Sequence, residues 1–118
     1  MREPTFWILT ALAIRPLHGY GVIQEASRLS DGRVTLQAGT LYAALDRLAA
    51  EGLITLDHEE QVDGRNRRYY RLTDAGLAAL AAEATRLQAS AQAATEQLAA
   101  RRRFGLGPAT FGPGPATA

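Results

Sequence analysis

QAGTLYAALDRLAAEGLI, residues 37–54, changes character along its length. Leu41, Ala44, Leu45 and Leu48 recur at i, i+3, i+4 and i+7, the spacing that lines one face of an α-helix. Gly52 follows where a left-handed cap would end it. The spacing predicts a helix over 38–51. Its first turn is unusual for a helix that only packs, because Ala38, Gly39, Thr40 and Tyr42 are small or hydrogen-bonding. Such a front end lets another surface approach the backbone, while the leucines behind lock the helix to a body.

Upstream, Pro4-Thr5 reads as a helix start, and Phe6 to Ile14 is apolar nearly all the way round before Arg15-Pro16 ends it. A helix with no polar face is buried on more than one side. In a chain of 118 residues the second side, carrying Ile8, is expected to meet another subunit. His18-Gly19-Tyr20-Gly21 opens a second helix with Val22, Ile23, Ala26 and Leu29 on one face. Ser30-Asp31-Gly32 signals a turn, and Val34 to Gln37 is a short connector.

Downstream, Ile54 and Leu56 alternate with Thr55 and Asp57, and Tyr70 and Leu72 alternate with Tyr69 and Arg71. Two such strands around Asp63-Gly64 read as a hairpin. Thr73 caps a last helix, with Asp74 in its first turn, where the helix dipole favours negative charge. Leu77, Leu80, Ala84, Leu87, Ala91, Ala94 and Leu98 are then spaced alternately by three and four, a heptad seam over three repeats. A helix running to Arg103 spans roughly 45 Å, so half of it is expected to pack on something outside the domain. The Gly- and Pro-rich stretch 104–118 reads as a disordered tail.

The bulk composition allows one compact domain plus an extension. Hydrophobic residues make up 47% and charged residues 21%, a globular balance. No stretch approaches the roughly 18 apolar residues of a membrane span, and no signal peptide leads the chain. The absence of cysteine removes disulfides, thiol nucleophiles and cysteine metal sites, which fits a cytoplasmic protein. The net charge is only +1, yet all 13 basic residues are arginine, and Arg65, Arg67, Arg68 and Arg71 stand without an acidic residue among them. Arginine forks suit phosphates and base edges, although an all-arginine, alanine-rich chain also reads as a high-GC genome.

Three helices, a hairpin and a long helix follow in the order of a winged helix-turn-helix with a dimerisation helix. The expected fold is therefore mainly α with a small β-hairpin: residues 1–76 the winged helix-turn-helix, 77–103 the dimerisation helix and 104–118 the tail. In such a fold the second helix of the pair lies in the major groove, its amino-terminal residues at the base edges. Thr40 and Tyr42 can donate to phosphates or bases, and the free first-turn amides face phosphate oxygens. The expected double-stranded DNA contacts are Gln37, Gly39, Thr40, Tyr42, Ala43 and Arg47 on the third helix, and Arg65, Arg67, Arg68 and Tyr69 on the wing. The expected dimer interface is Ile8 with the seam Leu77, Leu80, Ala84, Leu87, Ala91, Ala94 and Leu98.

Several linked motifs also carry a family resemblance. Leu17-His18-Gly19-Tyr20, Gly39-Thr40-Leu41-Tyr42-Ala43-Ala44-Leu45, Leu48-Ala49-Ala50-Glu51-Gly52-Leu53-Ile54 and Arg68-Tyr69-Tyr70-Arg71-Leu72-Thr73-Asp74-Ala75-Gly76 resemble the signature of the PadR family of bacterial transcriptional regulators. The resemblance covers roughly Phe6 to Leu80. Ala43 stands where that family often has proline, and Arg68 where lysine is common. The resemblance implies a homodimeric repressor that often answers to small aromatic compounds. It implies that the third helix and wing touch DNA and that the first and last helices build the dimer. Multidrug-sensing members stack ligands on a tryptophan of the last helix, which this chain lacks.

Several residues admit a plainer reading beside the functional one. His18 starts a helix with only His58 as a conceivable partner, so a structural or capping role competes with catalysis or metal binding. Gly19 and Gly21 form no phosphate loop, since no strand or lysine frames them. Arg65, Arg67 and Arg68 either meet phosphate or form a solvated face balancing Glu59, Glu60 and Asp63. Arg47, near Asp46 and Glu51, serves a groove contact or a surface ion pair. Tyr70, in phase with Leu72, belongs to the core, whereas Tyr69 points outward, where it could reach phosphate. Trp7, the only tryptophan, packs in the core or, with Phe6, lines an effector cavity at the dimer interface. Two isolated histidines and no carboxylate pair on a cleft argue against an enzyme, a metal site or a cofactor. A winged-helix module that makes protein contacts, without sequence-specific DNA binding, is the alternative function.

Overall fold

The structure, a computed structural model, describes residues 1–107, so most of the expected tail (108–118) lies outside the described residues. The chain divides into two compact units, residues 1–84 and the residues from Thr85 onward. The first contains α1 (Glu3–Ala11), β1 (Leu17–His18), α2 (Gly19–Leu29), α3 (Ala38–Ala50), β2 (Ile54–Val62) and β3 (Arg65–Leu72). It also contains the start of α4 (Asp74–Arg103). The strands form one antiparallel sheet in the order β1-β3-β2. This is a winged helix-turn-helix followed by a long carboxy-terminal helix.

The core is built from the leucines read in the sequence. Leu41, Ala44, Leu45 and Leu48 of α3 are buried against Ile8, Leu9 and Leu12 from the α1 segment, Val22 and Ala26 of α2, and Ile54, Tyr70 and Leu72 of the sheet. Leu36 in the connector closes the same cluster. The α2–α3 turn is fixed by Ser30, whose fully buried hydroxyl accepts from the Val34 amide at 3.0 Å and donates to the Ser27 carbonyl at 3.2 Å.

Four sequence expectations change in detail. The first helix ends at Ala11 rather than at Arg15, and Ile14 is 87% exposed. The cause lies just beyond. Pro16 disfavours helical backbone at Arg15, and Leu17-His18 must be extended to pair with Tyr70 and Tyr69 of β3. The expected hairpin thereby becomes a three-stranded sheet. In β2, Ile54 is buried but Leu56 is partly exposed, and a bulge falls between Leu56 and His58. The extra residue, Asp57, interrupts the simple alternation. Leu29, expected on the apolar face of α2, is exposed at its end.

The end of α3 and the start of α4 are joined at one point. Gly52 takes φ +77°, and the amides of Leu53 and Gly52 return to the carbonyls of Leu48 and Ala49 at 3.0 and 3.1 Å, closing α3 as read from the sequence. The Thr73 hydroxyl donates to the Gly52 carbonyl at 2.6 Å and accepts from the Gly76 amide at 3.0 Å. A Cβ on Gly76 would overlap the Leu53 carbonyl oxygen. Only glycine lets α4 approach this closely.

Two substitutions test this account by chemical denaturation. Leu45→Ala should lower stability by about 2–5 kcal/mol as a core truncation. Gly76→Ala, which adds a single methyl group, should destabilise by about 1–3 kcal/mol because the obstructing atom is backbone and cannot rotate away. Wild-type stability in both variants would contradict the packing described.

Candidate nucleic-acid interface

The outward side of α3 is set by its inward side. With Leu41, Ala44, Leu45 and Leu48 buried, Ala38, Gly39, Thr40, Tyr42, Ala43, Asp46 and Arg47 are left exposed. Gln37 is the extended residue before the helix, and its carbonyl accepts from the Leu41 amide at 2.8 Å. No side chain caps the helix, so its first-turn amides stay open toward this side. A Cβ on Gly39 would meet nothing within 4 Å. Packing within the chain therefore gives no reason for glycine at that position.

Tyr42 has two contacts to reconcile. Its side is 54% exposed, yet its ring lies across the start of α2. A Cβ on Gly19 would sit 2.7 Å from the Tyr42 hydroxyl oxygen and 2.9 Å from two of its ring carbons. Gly19 leaves room for the end of the Tyr42 side chain, a role the sequence did not reveal.

The wing faces α3 across a cleft of about 730 Å³. Its walls are Gly19 and Tyr20 of α2, Tyr42 and Asp46 of α3, His18, and the hairpin from Val62 to Arg68 with Tyr70. The hairpin turns through Asp63 at φ +51° and Gly64 at φ +74°, the left-handed pair of a two-residue type I′ turn. Of the expected contacts, the cleft gathers Tyr42, Arg65, Arg67 and Arg68, while Gln37, Gly39, Thr40, Ala43, Arg47 and Tyr69 lie off its walls.

The arginines are not equivalent. Arg68 Nε lies 3.6 Å from Glu59, and Arg71 Nε lies 3.3 Å from Asp57. Asn66 donates to Glu59 at 3.0 Å. Arg65 and Arg67 make no ion pair among the described residues. Arg47 donates to Glu51 at 3.0 Å and to the Thr5 hydroxyl at 2.9 Å, so it joins α3 to α1 as well as forming the surface ion pair. Phe6 and Trp7 meet edge to face at 5.3 Å between ring centroids, and the Trp7 indole N–H donates to Glu3 at 3.3 Å. Neither lines the cleft.

Sequence reasoning missed an aromatic stack on the outer face of the sheet. Tyr69, opposite His18 on one side and His58 on the other, has ring centroids 5.1 and 4.4 Å from theirs, the His58 pair being nearly parallel at 13°. A two-residue strand such as Leu17-His18 leaves no readable alternation, so the third member was invisible. The two histidines are driven apart. The hydrogen bond to Asp57 at 2.5 Å, helped by Glu60 at 3.1 Å, raises the pKa of His58. Burial, and then the positive charge of Arg67, lower that of His18 against the pull of Glu60. His18 Nδ1 is buried without a hydrogen-bond partner among the described residues.

The signs of the linkage follow. His58 contributes stability below its ordinary value of 6.5, lost as pH rises through its raised folded value. The preference of His18 for its neutral form holds above 6.5 and is lost as pH falls through its lowered folded value. Imidazole NMR titration should therefore find His58 with its midpoint above 6.5 and His18 below it, with Asp57→Asn bringing His58 down. Coincident midpoints would contradict the Asp57 hydrogen bond to His58 and the burial of His18.

Comparison with known proteins bears directly on this arrangement. Residues 8–82 match the model of the Transcriptional regulator PadR-like family. Over 73 residues the chain is 45% identical to the transcriptional regulator Rv3488 of Mycobacterium tuberculosis, covering 62% of this chain and 64%, just under two thirds, of that relative. A PadR family transcription regulator from Clostridium difficile R20291 is similar in structure, with a TM-score of 0.65 at 25% identity over 80% of this chain and 96% of that one. Bacillus subtilis PadR, solved in complex with operator DNA, gives a TM-score of 0.61 at 28% identity over 68% of this chain and 45% of that one. The family is one of transcriptional regulators rather than enzymes. With the matched segment spanning the helix-turn-helix, the wing and the start of α4, the chain belongs to the PadR-like family of transcriptional regulators.

Proposed function

We propose that the chain is a homodimeric, cytoplasmic repressor that binds operator DNA through α3 and the wing, and that a small, flat aromatic effector releases it. One observation carries the DNA reading. The exposed front of α3 offers small residues, open amides and the Thr40 hydroxyl beside a cleft whose far wall holds Arg65 and Arg67 without ion pairs. A recognition helix needs that front to approach base edges, and the arginines suit the flanking phosphates. That Bacillus subtilis PadR, a structural neighbour, was solved in complex with operator DNA supports a DNA partner for this chain.

Gel-shift or anisotropy titration tests it. A dimer making about 6–10 phosphate contacts should lose on the order of 10³–10⁵ in affinity between 50 and 200 mM salt. Thr40→Ala and Tyr42→Phe should weaken operator binding without unfolding the domain. Unchanged affinity in both would assign the surface to protein contacts instead.

Dimerisation and the effector are proposed from the apolar surface left over. Leu77, Leu87 and Leu98 of the seam are 48%, 40% and 59% exposed in the single chain. Ala84, Ala91 and Ala94 between them are small enough for a second helix to approach closely. Phe6 and Trp7 on α1 are half-buried and offer aromatic surface to a ligand. A two-fold dimer must present its α3 helices about 34 Å apart, or a multiple of that, to reach successive major grooves. A ligand wedged between α1 and α4 of the dimer would favour a misaligned spacing, with a coupling to DNA of about 1–3 kcal/mol. Sedimentation should give a dimer at micromolar concentration. Compounds that release DNA should also change Trp7 fluorescence, and Trp7→Ala should blunt the release. A folded monomer, or release that leaves Trp7 and its alanine variant indifferent, would refute these parts.

A further inference from the structure

Asp46 is an unengaged charge on the face that would meet DNA. The outward stripe of α3 repeats at i, i+4, i+7 and i+11 as Gly39, Ala43, Asp46 and Ala50, all exposed. The first two are small, and a Cβ on Gly39 would meet open space, so the front of the stripe is flat and carries no competing side chain. The neighbouring charge, Arg47, is held by Glu51 and Thr5. Asp46 lines the same cleft as Arg65, Arg67 and Arg68 and pairs with none of them. Arg68 takes Glu59 as its partner, and the Asp46 carboxylate has no hydrogen bond or ion pair among the described residues.

A free carboxylate on a surface that meets phosphate is repelled by it, which weakens binding to every sequence. A hydrogen-bond donor on the correct base offsets that repulsion, and an acceptor on the wrong base adds to it. The major-groove edges decide which base this is. Guanine presents only acceptors and thymine an acceptor and a methyl group, while adenine places its N7 acceptor next to its amine. Cytosine alone presents an amine donor with no acceptor of its own beside it.

We propose that Asp46 is a specificity-determining residue that accepts a hydrogen bond from the exocyclic amine of one cytosine in the major groove. This rests on the DNA-binding reading above and deepens it. Arg65 and Arg67 attract any duplex, and Asp46 filters what they attract. The filter is short and stiff, because an aspartate has one methylene and stands on a helix anchored by Leu45 and Leu48 on its buried side.

The experiment selects bound duplexes from a randomised pool with the full chain and with Asp46→Ala and Asp46→Asn, whose exposed position leaves the core untouched. Thermal melts check that all three are folded. The wild type should enrich a motif with a C·G pair at one fixed position, and Asp46→Ala should lose the preference at that position alone while binding random duplex more tightly. Replacing that cytosine by 2-pyrimidinone, which lacks the amine, should then weaken the wild type about tenfold and leave Asp46→Ala unaffected. The same motif from wild type and Asp46→Ala, or equal sensitivity to loss of the amine, overturns the role of Asp46 while leaving DNA binding intact. Failure of every protein to enrich any motif overturns the DNA-binding reading, and this inference with it.

Discussion

The close approach of Gly76 to the Leu53 carbonyl holds the architecture together. Around it, Thr73 binds the Gly52 carbonyl of the α3 cap with its hydroxyl and receives the Gly76 amide, in the first turn of α4, on the same oxygen. The Thr73 amide also returns to the Leu53 carbonyl at 3.1 Å. One short segment thus fixes where α3 ends, where β2 begins and where α4 departs. Each of these polar groups would otherwise be a helix-terminal orphan needing water. Because β3 runs straight into Thr73, the same junction sets how the wing stands relative to α3, and hence the shape of the cleft.

A second close approach sets the Tyr42 ring against Gly19 at the start of α2. Tyr42 is a surface group with one flank of its ring against α2 and the rest open. Gly39 shows the opposite case. Among the described residues nothing fills the space a methyl group would occupy, and glycine lowers helix stability relative to alanine by up to about 1 kcal/mol. A residue that stabilises nothing internally is explained by what approaches from outside.

Much of this was legible in the sequence because the physics was local. The 3.6-residue spacing of Leu41, Leu45 and Leu48, the Gly52 cap, the Asp63-Gly64 turn and the Thr73 cap each announce themselves within a few residues, and all stand where they were read. What the sequence concealed depends on residues far apart. Strand β1 is two residues long and exists only because β3 offers Tyr69 and Tyr70 as partners, and it truncates α1 to free the chain for that pairing. The bulge at Asp57 serves the sheet rather than the strand, and Leu56 just before it is partly exposed. Arg47 could not be resolved from its neighbours in sequence, because one of its partners is Thr5, 42 residues away. The same holds for the stack of Tyr69 on both histidines, whose members come from three strands.

The charges complete the reasoning. A net charge of +1 gives little long-range attraction for a polyanion, so any affinity for DNA has to be local. Within the wing, Glu59 and Asp57 hold Arg68 and Arg71, leaving Arg65 and Arg67 unpaired near the tip. The positive charge left unpaired on the hairpin is therefore that of Arg65 and Arg67, both of which line the cleft. Arg67 also acts on His18, against the opposite pull of Glu60. On the proposed DNA-binding reading, such a protein relies on the fit of α3 more than on bulk charge, and a surface that relies on fit is one where a single carboxylate can discriminate between bases.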